Sequence, residues 1–97
     1  MNHSAAERIA LDAFTWLCAE QDLLPVFLNA SGASVGDLRA ALSSAEGPDQ
    51  ALLGAVLDFI LMRDDTVIAC CAAQNLPNDR LAQAQAVLAG HAGMHWT

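Results

Sequence analysis

Ninety-seven residues make one domain, and a chain of this size buries somewhat under about 70% of its unfolded surface, enough for a single cooperative core. Apolar residues make up 55% of the chain, but 20 of the 97 are alanines, which favour helix and remove little area from water. Eleven acids against four arginines and no lysine, a formal charge of −7, exclude the basic stripe on which binding to polyanions depends.

The core must therefore rest on the leucines and valines with Ile9, Ile60, Ile68, Phe14, Phe27, Phe59, Trp16 and Trp96. Cys18, Cys70 and Cys71 form an odd set with one adjacent pair, neither a disulfide framework nor a C-x-x-C motif, so reduced buried thiols are expected. No basic segment followed by an apolar one opens the chain, and its apolar runs fall far short of the ~18 residues that span a membrane. A cytoplasmic protein is expected.

In chain order, Ser4 with Glu7 three residues on predicts a capping box that starts the first helix. Ile9, Ala10, Ala13, Phe14, Leu17 and Cys18 recur on its inner face, and Arg8 can pair with Asp12 one turn away. Asp22 is the expected cap of a second short helix, Leu23 to Ala30, with Pro25 in its first turn and Gly32 after its end. Ser34 opens a third, boxed by Asp37, which directs Val35, Leu38, Ala41 and Leu42 inward.

The run Ser43 to Asp49 reads as the one long loop. A fourth helix, about Asp49 to Arg63, is apolar over most of its circumference and so predicted to be central, with Asp58 marking its solvent side. Asp64 or Asp65 caps a fifth, whose inner side is Val67, Ile68, Cys71 and Ala72 and which Asn75 and Pro77 stop. The sixth runs from about Pro77 to Ala89, turns Leu81, Ala84, Val87 and Leu88 inward, and ends at Gly90. No period-two run supports a strand. The fold class is all-α: one domain, residues 1–97, as a compact bundle of about six short helices packed orthogonally rather than as a coiled coil, with 91–97 a C-terminal tail.

Few residues suggest chemistry. His91 and His95 stand four apart, the spacing that puts two imidazoles on one helical face as metal sites require, but their segment carries Gly90 and Gly93 and no carboxylate or cysteine. The segment reads better as a tail that docks Trp96, with His91 and His95 at its rim, and these three are the candidate partner-binding residues. Adjacent Cys70 and Cys71 differ by about 100° around a helix, which predicts one in the core and one at the periphery. Asp64 and Asp65 lack the alternating oxygen ligands of a calcium loop. No catalytic residue, cofactor or metal is expected.

The strongest motif spans Pro25 to Leu42, where Gly32 in a turn, Ser34 opening a helix and Leu38 within it mimic a helix-turn-helix. Its recognition helix would offer Val35, Gly36, Asp37, Arg39 and Ala40, one arginine against an aspartate that repels phosphate.

Phe27-Leu28, Ser31-Gly32, Asp37-Leu38-Arg39, Ala55-Val56-Leu57-Asp58-Phe59-Ile60-Leu61, Asp64, Leu76-Pro77 and a glycine near Gly90 together resemble a family of short bacterial proteins catalogued only as a domain of unknown function. The likeness spans nearly the whole chain. Ser31 stands where members tend to carry threonine, and Gly90-His91 where they carry two glycines. The resemblance implies an all-helical fold and supplies no activity, cofactor or catalytic residue.

The leading expectation is a small non-catalytic protein-protein interaction module, its partner another protein or a second copy. The alternatives are a helix-turn-helix-like nucleic-acid-binding regulator and a small metal- or thiol-dependent protein.

Overall fold

A computed structural model describes the backbone of residues 1–95 and the side chains as far as residue 89. Six helices form in the order α1 (His3–Ala19), α2 (Leu24–Ser31), α3 (Val35–Ser43), α4 (Gln50–Leu61), α5 (Asp64–Gln74) and α6 (Arg80–His95), with no strand among the described residues. The fold is all-α.

The helix starts follow the sequence only in part. Asn2 caps α1, its side chain accepting from Ala5 N at 2.7 Å, so the expected Ser4 lies inside the first turn. Asparagine caps as well as serine, and the earlier start adds helical hydrogen bonds. Glu7 turns back instead to His3 Nδ1 at 3.2 Å. Asp22 does not cap α2: the chain folds tightly out of α1, and Glu20 O accepts both Leu23 N and Leu24 N, at 3.2 and 2.9 Å. Pro25 sits in the first turn, and Gly32 closes the helix at φ 77°, a left-handed angle that costs glycine nothing.

Ser34 and Asp37 make the expected reciprocal box on α3, both bonds 3.0 Å. Asp49 caps α4 through Leu52 N at 2.8 Å. Neither Asp64 nor Asp65 caps α5. Both fall within its first turn, where their charge still meets the positive end of the helix dipole, and Asp65 accepts from Thr66 N and from Arg63 Nη2. Asn75 ends α5 at φ 59°. Residues 77–79 form a turn, so α6 starts three residues later than expected, and it runs through Gly90 rather than stopping there. A glycine inside a helix costs about 1 kcal/mol, which a helix of this length can carry.

Helices α1, α4 and α6 pack on one another at the centre, α5 lies against all three, and α2 lies on α1 and α4. Phe14, Leu17, Phe27, Val56, Leu57, Ile60 and Leu81 fill the space between them, all essentially without exposure. Ala6, Ala10 and Ala13 line the inner face of α1 and are fully buried, so neighbouring helices approach it closely. The expected central helix α4 buries Leu53, Val56, Leu57 and Ile60, while Phe59 stays half-buried and Asp58 faces solvent.

Two inner faces differ from expectation. On α5 the buried residues are Thr66, Cys70 and Cys71, whereas Ile68 is 53% exposed and Ala72 faces outward. The helix is thus turned by roughly 100° from the predicted orientation. On α3 only Leu38 is buried, and Val35 and Leu42 are 49% and 45% exposed. Among the described residues no helix is long and apolar enough to cross a membrane.

Candidate interaction surface

The least supported helix carries the most telling surface. With a single buried residue, α3 is held to the body by Leu38 and by the turn that Gly32 and the Ser34–Asp37 box create. Beneath it lies a hollow of about 190 Å³ bounded by Cys18 of α1, Leu24 of α2, and Val35, Leu38, Arg39 and Leu42 of α3. These four α3 residues share one stripe because their spacings of three, four and seven return to the same side of a helix. The hollow is apolar with a guanidinium at its rim. Arg8 pairs with Asp12 at 3.6 Å, Arg63 with Asp65 at 2.9 Å, and Arg80 donates to Gln83 at 2.9 Å, which leaves Arg39 as the arginine without a polar partner among the described residues.

A second apolar hollow of about 220 Å³ opens between α2 and α4, lined by Phe27, Ala30, Ser31, Ala55, Asp58, Phe59 and Met62. Its floor is aromatic: Phe27 and Phe59 meet edge to face, centroids 5.3 Å apart at 67°. At its rim Met62 is 78% exposed, and methionine adapts to many apolar shapes. Inward-directed Val35 and Leu42 were the misleading signal in the sequence. That α3 leaves most of its apolar stripe uncovered shows only in three dimensions.

The thiols are arranged for packing. Cys70 and Cys71 are both fully buried, against the expectation of one core and one peripheral residue, because α5 meets α1, α4 and α6 over an arc wide enough to cover two adjacent positions. Burial pushes the Cys70 thiol up to about 12, helped by neighbouring Cys71 and opposed by Gln74 Nε2, which donates to Cys70 Sγ at 3.0 Å. Burial also raises Cys71 and Cys18. A nucleophilic thiol needs the opposite shift. Among the described residues no three histidines, cysteines or acids gather where a metal could bind. His91, His95 and Trp96, the candidate partner-binding residues, have side chains outside the described residues.

The helix-turn-helix-like corner of α2, Gly32 and α3 presents one cation, Arg39, and the Asp37 carboxylate beside it is spent on the Ser34 amide.

Residues 3–91 match a family model described as "Protein of unknown function (DUF3572)". The chain belongs to this family. The match takes in both hollows and every residue of α1 through α5, and it stops short of His95 and Trp96. No curated protein and no solved structure matches the chain.

Proposed function

We propose that this member of the family is a small, non-catalytic protein-protein interaction module of the cytoplasm, and that its working surface is the face built by α2, α3 and the end of α4. The observation that carries the reading is the exposure of Val35, Leu42 and Met62 around two preformed apolar hollows. Large apolar side chains grouped on one part of a surface mark an interaction site, whereas scattered single ones do not. The protonated buried thiols fit a reducing compartment.

The test is affinity capture from the cells of origin with the parent chain and with a Val35→Asp/Leu42→Asp variant, identified by mass spectrometry. Both positions are half exposed, so the variant keeps its fold, which circular dichroism checks. The parent should retain a protein at stoichiometric level that the variant loses. Identical captured sets would remove this surface from consideration.

A further inference from the structure

The α3 hollow and the start of α5 complement each other in charge and in apolar spacing. Arg39 has no polar partner among the described residues, and Val35 lies four residues before it on the same side of α3. On α5, Asp64 is an exposed carboxylate with no hydrogen bond or ion pair among the described residues, and Ile68 lies four residues after it, 53% exposed. Four residues of helix rise about 6 Å in both cases and return to the same face. Set antiparallel, the two helices bring Arg39 opposite Asp64 and Val35 opposite Ile68. Leu42, one turn beyond Arg39, then comes to Met62 just ahead of α5.

We propose that the occupant of the α3 hollow is the Met62–Ile68 segment of a second copy of this chain. The inference rests on the interaction-module reading and names its partner. Val35, Leu42, Met62 and Ile68 are four of the six large apolar side chains exposed among the described residues, and this one contact covers all of them. It also joins an unpaired cation to an unpaired anion across an apolar seam, where the pair fixes register and partner choice. Within one chain the two elements make no substantial contact, so the complementarity is satisfied between copies. A two-fold axis closes two such contacts into a dimer, and any other operator links copies into a chain.

The experiment is sedimentation equilibrium on the full chain at physiological salt, which screens the repulsion between two chains of charge −7. The parent should associate as its concentration rises through the micromolar range. Arg39→Glu and Asp64→Arg should each sediment as monomers with unchanged circular dichroism, since both positions are exposed. Their equimolar mixture should associate again, because every contact then pairs opposite charges. Cys18, which lines the hollow and is the half-buried thiol of the three, should be alkylated more slowly in the associated parent than in either variant. A parent that stays monomeric, single variants that associate like the parent, or a mixture that stays monomeric overturns the pairing. If the pairing falls while the Val35→Asp/Leu42→Asp variant still loses a captured protein, the interaction reading stands with a different partner. If both fail, the reading falls with it.

Discussion

Phe27 of α2 meets Phe59 of α4 edge to face at 5.3 Å, and this contact joins α2 to the central helix α4 beside its packing on α1. Phe27 is essentially without exposure, while Phe59 is half-buried. Phe27→Ala should therefore cost about 3 to 5 kcal/mol and Phe59→Ala clearly less, as read from urea midpoints at constant m. Equal losses at the two positions would mean the ring pair is not asymmetric in burial.

Leu57 lies without exposure on α4, the helix that packs on both α1 and α6. Leu57→Ala should cost about 2 to 5 kcal/mol by leaving a cavity that the surrounding helices cannot close. A urea midpoint unchanged from the parent would show that α4 is not central.

The Ser34–Asp37 box is the main local support of α3. Ser34→Ala should cost about 1 kcal/mol globally and, more tellingly, speed amide hydrogen exchange in residues 35–43 relative to α4. Exchange unchanged there would mean that packing through Leu38 alone holds the helix.

The thiols set an alkaline limit. Cys70 is raised from 9.0 to about 12 in the folded state, so above 9 the unfolded chain loses a proton that the folded chain keeps. The unfolded state then binds fewer protons, and stability falls as pH rises. The contribution is intact below 9 and is lost progressively up to about 12. Thermal midpoints of the parent should drop across this window, and those of a Cys70→Ala/Cys71→Ala variant, lower at neutral pH, should drop less. Parallel curves would assign the alkaline loss to other groups.

Duplex DNA should not bind at physiological salt. The net charge is −7, and the helix-turn-helix-like corner offers Arg39 alone, with Asp37 beside it. Fluorescence anisotropy with any duplex should stay flat, and micromolar binding that weakens as salt rises would overturn the charge argument.

Local chemistry made much of the fold legible. The Ser34–Asp37 box, the helix stops at Gly32 and Asn75 and the loop before α4 all depend on residues within four positions of each other, and all appear where the chain predicts them. Competing caps close together were harder to separate, and Asn2 displaced Ser4 because either side chain can accept the same kind of amide.

What the sequence determined by itself is an acidic, alanine-rich, all-helical chain with the boxed start of α3 and the stops at Gly32 and Asn75, because capping and turn formation are local. Only the tertiary structure decided which side of α3 and α5 is inside. Thr66, Cys70 and Ile68 give α5 no single apolar stripe, so its rotation is set by the three helices it lies against, which cover Cys70 and Cys71 together and leave Ile68 outside. On α3 the stripe is clear, yet nothing in the chain says whether its own core has room for it. The body of the protein buries Leu38 alone of that stripe, and Val35, Arg39 and Leu42 are left at the surface as the candidate site.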